Sequence, residues 1–208
     1  MTKIFTLDFL FDRPSNNPYE AYPLPFAEEN YFRAAADTKF DKVEFLPKGP
    51  VYMKVKFQDI HKCQLLKNPF NWFLISDLMY KTLLSIEPIE HFMWPAVLID
   101  MNHRGKYFEE SGPLKSKVKF DNSFKFFGLH TRFECFDREY SQWTPNPFAP
   151  PDKISGITKL VLKSHDGYFP PIFTLPEKSN LFITGQIKDL LVQNDVRGVE
   201  FQEIEVSG

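Results

Sequence analysis

One short unit occurs twice, about one hundred residues apart, and it constrains the fold more than any other feature of the chain. The first copy runs Trp72-Phe73-Leu74-Ile75-Ser76-Asp77-Leu78-Met79-Tyr80-Lys81-Thr82-Leu83-Leu84. The second runs Asn180-Leu181-Phe182-Ile183-Thr184-Gly185-Gln186-Ile187-Lys188-Asp189-Leu190-Leu191. Each reads as an apolar strand, a Ser or Thr cap, a two-turn amphipathic helix, a turn and a further strand. Ser76 caps a helix on 77–84, with Leu78, Met79, Thr82 and Leu83 near one face. Thr184 caps one on about 185–193. The expectation is an α+β fold with a mixed, mainly antiparallel sheet, a few short helices and two related strand–helix–strand halves. The unit carries no nucleophile, no metal ligands and no phosphate loop, so it is scaffold.

The remaining segments fit that picture. Ile4–Phe9 reads as an opening strand. Val51–Phe57 alternates, with Val51, Met53, Val55 and Phe57 inward and Tyr52, Lys54 and Lys56 outward. Phe92–Asp100 is a strongly apolar strand with Pro95 near its start or on an edge. Lys115–Phe120 and Thr131–Phe136 alternate and read as short strands. Ile157–Leu162 reads as one strand, and Val199–Val206 closes the chain with a phase slip between Phe201 and Ile204 that suits a bulge. Glu28–Ala36 looks helical, its two acids favoured by the helix macrodipole, and Val43–Leu46 is a further candidate strand. The segment 13–27, with four prolines, is irregular. Pro145-Asn146-Pro147-Phe148-Ala149-Pro150-Pro151 is short and stiff, a loop inside one domain of 208 residues rather than a boundary. The 23 Phe and 17 Pro against 9 Gly supply apolar area and rigid connections.

Charge narrows the partners. The net charge is −2, which argues against a nucleic-acid binder driven by phosphate neutralisation and against a polybasic membrane anchor. No stretch approaches the roughly 20 apolar residues that span a bilayer. Met1 to Asp8 does not read as a secretory signal. Cys63 and Cys135 read as two reduced, buried thiols, and a cytoplasmic location is the expectation.

No constellation announces chemistry. His61 and Cys63 sit close, with His91, His103, His130 and Cys135 elsewhere, but without the tight ligand pairs of a zinc site. There is no Gly-x-Ser-x-Gly elbow. No cofactor, metal or catalytic residue is expected. Glu109 and Glu110 are adjacent acids that read as solvated. Lys115, Lys117 and Lys119 suit a solvated face or a protected edge. The run Arg138-Glu139-Tyr140-Ser141-Gln142-Trp143 differs, because Arg, Tyr and Trp are the types that anchor protein interfaces; the plainer alternative is Trp143 plugging the core under the loop. Asp137, Arg138, Glu139, Tyr140 and Trp143, with Glu109 and Glu110, are the candidate partner-binding residues.

The C-terminal third adds a resemblance. Ile157-Thr158-Lys159-Leu160-Val161-Leu162, then Pro170-Pro171-Ile172-Phe173, then Leu181-Phe182-Ile183-Thr184, a helix, and Val196-Arg197-Gly198-Val199-Glu200-Phe201 follow one another. This series is similar to the ending of a family of bacterial immunity proteins encoded beside polymorphic and type VI secreted toxins. Phe133 to Ser141 looks like that family's middle "Cys-x-Asp…Ser" region, and Phe73 to Ile99 like its first helix and strand. The resemblance covers 70–208, with 1–69 a variable part. It implies a non-enzymatic protein that binds a cognate toxin in the cytoplasm and occludes its active site. A small-ligand domain or an enzyme with an unrecognised pocket, or a structural subunit of a larger complex, are the alternatives.

Overall fold

The computed structural model describes residues 2–10, 20–24, 49–58, 60–68, 72–148, 150 and 153–207. The expected helix at 28–36 and strand at 43–46, and most of 13–27, lie outside these residues.

Fourteen strands are present among them: β1 (Ile4–Phe9), β2 (Tyr22–Pro23), β3 (Val51–Val55), β4 (Leu65–Leu66), β5 (Phe73–Ser76), β6 (His91–Asp100), β7 (Phe120–Asp121), β8 (Phe124–Leu129), β9 (Gln142–Pro145), β10 (Ile154–Lys159), β11 (Val161–Lys163), β12 (Ile172–Phe173), β13 (Leu181–Thr184) and β14 (Val199–Ser207). The helices are α1 (Asp77–Leu83) and α2 (Gly185–Gln193). The fold is therefore α+β with mainly antiparallel sheets. One sheet runs β2-β3-β6-β8-β5-β4, with β7 beside β6; another runs β11-β14-β1-β13-β12; β9 and β10 form a separate hairpin.

The two large sheets follow one plan. Ile75 faces Leu65 on one side and Lys125 on the other; Ile183 faces Ile172 and Phe5. Lys125 in turn faces Pro95, as Phe5 faces Glu203. Two residues further on, Val97 runs parallel to Tyr52 and Glu205 runs parallel to Val161. The correspondence reaches the preceding segments: Leu24 donates its N–H to the Tyr52 carbonyl at 3.0 Å, and Asp137 donates to that of Val161 at 3.0 Å. The repeat visible in the helices thus extends to five strands of each sheet, strand direction and register included, while β7 has no counterpart strand. One connection breaks it: β8 follows β6 along the chain, whereas its counterpart β1 comes from the opposite end.

The helix caps match as closely. Ser76 has φ −73°, ψ 162° and Thr184 has φ −73°, ψ 161°, both extended. Ser76 Oγ accepts the Met79 N–H at 3.2 Å, while Thr184 makes no side-chain cap bond. Helices this short are unstable alone, so burial holds them. Met79 and Leu83 on α1, and Ile187 and Leu191 on α2, are all 0% exposed, contributing about 1.5–3 kcal/mol each. Leu78, expected on that face, is instead exposed. These helical residues share one central cluster with Phe5, Leu7, Leu181 and Ile183 of one sheet and Leu65, Ile75, Phe127 and Leu129 of the other. Above the sheet, Lys125 Nζ lies 4.5 Å from the centre of the Tyr80 ring, and Lys188 Nζ lies 4.7 Å from that of Phe5. In the first pair the helix brings the ring and the strand the cation; in the second the roles are exchanged.

Each sheet also buries its outer face. Met53, Leu66, Leu74, Phe126 and Leu98 form one outer cluster; Ile4, Phe173, Phe182, Leu162 and Ile204 form the other. This explains the phase slip in β14. No bulge occurs, because β14 stays in register with β1 from Val199 to Ile204. Val199 and Phe201 instead pack on the central cluster, and Ile204 and Val206 on the outer one.

Several other expectations change. Lys115–Phe120 is not one strand: Val118 N–H turns back to the Lys115 carbonyl at 2.9 Å, and only Phe120, its last residue, enters a strand, β7. Thr131–Phe136 makes only a single bridge, Phe136 to Leu162. The stretch read as one strand at 157–162 divides at Leu160 into β10 and β11, which serve different sheets. Pro95 lies within β6, where its ladder passes from β8 to β3. The sequence set 1–69 apart as variable, yet β1 is the middle strand of the C-terminal sheet.

The turn after α2 joins the halves. Gln64 donates its N–H to the Arg197 carbonyl at 2.9 Å, and Leu10 to that of Gly198 at 3.1 Å. Gly198 has φ +75°, a conformation that favours glycine, and it lies directly against Cys63.

Candidate partner-binding face

The segment before β11 is built to hold a loop out from the second sheet. Lys163 donates its N–H to the Cys135 carbonyl at 2.7 Å. Ser141 Oγ donates to the Val161 carbonyl at 3.1 Å and accepts the Val161 N–H at 2.9 Å. Asp137 is 7% exposed. Its Oδ1 accepts the N–H groups of Glu139 at 3.0 Å and Tyr140 at 3.2 Å, and its Oδ2 accepts the Ser207 hydroxyl. The Ser207 bond chiefly, against burial and with help from the two amides, holds its carboxyl below the usual range. Asp137 is therefore spent inside the chain, shaping the turn that presents its neighbours.

Those neighbours face outward. The Arg138 guanidinium stacks 5.3 Å from the centre of the Trp143 ring, and its Nη2 lies 3.8 Å from Glu177 Oε1. Trp143 Nε1 donates to the Arg138 carbonyl at 3.3 Å. Trp143 is half-buried beneath the guanidinium and belongs to none of the apolar clusters. Glu139 is exposed, and Tyr140 is 58% exposed. At the tip of the β9–β10 hairpin Phe148 is 97% exposed. The Asn146 side chain accepts the Phe148 backbone N–H at 3.0 Å, and Asn146 N–H donates to the Lys153 carbonyl at 2.8 Å. The sequence reading overlooked Phe148; the available signal was a large apolar side chain in a proline-rich loop. Glu109 and Glu110 sit elsewhere, exposed on a turn of the first half in which Gly112 donates to the Glu109 carbonyl at 3.0 Å.

Beneath the hairpin lies a groove of about 670 Å³, lined by Glu134, Phe136, Arg138, Lys153, Ile154 and Glu177 among others. Its charges are of both signs and it is open to solvent. Cys63 and Cys135 fall in different apolar clusters, and burial pushes both thiols up to about 12, so neither is a nucleophile at neutral pH. Among the described residues no helix is long and apolar enough to cross a membrane.

Asp137→Ala is expected to lower stability by about 1–3 kcal/mol through orphaned amides and the loss of the Ser207 bond. A urea titration read from Trp fluorescence measures this. Because the folded pKa is depressed, the contribution is complete above the ordinary carboxylate value and fades as pH falls through the folded one. Wild type and the Ala variant should therefore converge in acid.

No protein-family model matches the chain, and no curated protein matches it.

Proposed function

We propose that the protein is an immunity protein that binds a cognate secreted toxin in the cytoplasm of the producing cell and occludes its active site. The observation that carries this reading is Phe148, 97% exposed at the hairpin tip, on the same projecting segment as the exposed Tyr140 and the Arg138–Trp143 stack. Between Arg138 and Lys159 no described residue joins an apolar cluster, so the hairpin is surplus to the core. Aromatic residues and Arg are the types that most often anchor tight interfaces. The similarity of the C-terminal third to toxin-immunity proteins points the same way. The groove favours a second reading, a small-ligand site.

The test is co-purification with the product of the adjacent gene, together with rescue of growth when that gene is expressed. A tight complex is expected, weakened about 30-fold or more by Phe148→Ala combined with Trp143→Ala. Absence of both complex and rescue would overturn the reading for that pair. A complex unaffected by the double substitution would move the interface off the hairpin.

A further inference from the structure

We infer that β1 is the exchangeable closing strand of the C-terminal half, and that its slot accepts the segment 2–10 when this is supplied on a separate chain. The duplication carries this. In the first half the strand between β5 and β6 is β8, reached from β6 through residues 101–123. In the second half the slot between β13 and β14 is filled by β1, from the far end of the chain. Every other strand of that sheet comes from the continuous stretch 161–207. The half is thus complete except for one strand, and the slot is a binding site for an extended segment.

Its recognition chemistry is explicit. Main-chain pairing holds both edges, Ile4 to Leu7 against Thr184 to Leu181 and Ile4 to Phe9 against Ile204 to Val199. Side chains read both faces: Phe5 and Leu7 enter the central cluster while Ile4 enters the outer one. Ile4, Phe5, Thr6 and Leu7 are all buried. Gly185 N–H donates to the Lys3 carbonyl at 2.8 Å, so the strand also fastens the start of α2. A segment that alternates in this way on two faces fits in a single register, and its backbone bonds do not depend on which molecule supplies it. The antiparallel register places the start of β1 beside the end of β14, with Lys3 Nζ 3.2 Å from Glu203 Oε1. A hairpin joining 207 to 2 would therefore reproduce the order of the first half.

The full chain carrying Phe5→Asp and Leu7→Asp cannot seat its own strand and leaves the slot vacant. A fluorescein-labelled synthetic peptide of residues 2–10 is expected to bind it saturably, one to one, and to raise its melting temperature by about 5 °C or more. The same peptide with Leu7→Asp is expected not to bind. If the variant is unfolded alone but folds on adding the native peptide, the inference is equally supported. No binding, or equal binding of both peptides, overturns it. A permuted chain, starting at residue 12 and carrying residues 2–10 behind Ser207 through a short Gly-Ser linker, is a second measure. It is expected to melt within a few degrees of wild type, and failure to fold overturns the assignment of β1 to that half.

Discussion

Gly198→Ala is expected to destabilise the protein by about 2–5 kcal/mol, more than Ala at any other described glycine. Two independent costs add. The residue has φ +75°, where an L side chain is strained, and a Cβ there would collide with Cys63 Sγ and stand 2.8 Å from its Cβ and 2.9 Å from its Cα. The collision is with backbone as well as side chain, so trimming the neighbour does not cure it: Cys63→Ala removes only the sulfur. Urea unfolding of the two single variants and the double variant measures this. A double variant as stable as Cys63→Ala alone would show that the backbone is not in close contact.

Alkaline pH should unfold the protein earlier than its lysines and tyrosines alone would require. Burial raises both thiols from about 9 to about 12. Below about pH 9 folded and unfolded chains both keep the two protons, and stability is complete. Above it the unfolded chain ionises while the folded thiols hold their protons, so stability falls until about pH 12, where the folded thiols ionise too. Three pH units correspond to about 4 kcal/mol per thiol, a large share of the stability of a domain this size. The measurement is the urea midpoint between pH 8 and 11 for wild type and for the Cys63→Ala, Cys135→Ala double variant. The slope should be much shallower in the variant; an equal slope would assign the alkaline loss to other groups.

What the sequence made legible was local. A Ser or Thr followed by a four-residue apolar spacing located both helices to within a residue, because capping and periodicity act over one or two turns. The alternation in Val51–Val55 survived because its outer neighbours are also apolar. What failed was non-local. Lys115, Lys117 and Lys119 alternate like a strand, yet the segment turns at Val118 and meets β6 only at its end, where the Lys119 carbonyl accepts the Asp100 N–H at 3.1 Å. The slip at Phe201–Ile204 suggested a bulge only because one sheet face was assumed to be buried. The place of β1 depends on partners almost two hundred residues away, beyond the reach of any periodicity. At the candidate site, composition singled out Arg138, Tyr140 and Trp143, which do cluster around one turn. It could not distinguish Asp137, whose carboxylate is consumed by Ser207 and two amides, from its exposed neighbours. It also passed over Phe148, whose meaning lies in its exposure.

The exchanged roles of Lys125–Tyr80 and Lys188–Phe5 act while the chain is still sorting itself out. A duplicated chain risks pairing the right elements of the wrong copy, since both helices and both ladders share one geometry. Here the mispaired states are unequal to the native one. Setting α2 over the β5–β8 ladder would bring Lys188 against Lys125, two like charges in a partly desolvated site. Setting α1 over β1 would lay Tyr80 on Phe5 with no cation between them. Two residues on each side thus label which helix belongs to which ladder, and the penalty falls on the cross-assembled chain alone. Two halves built on one strand plan can then fold side by side without trading parts, even where their paired ladders share the same geometry.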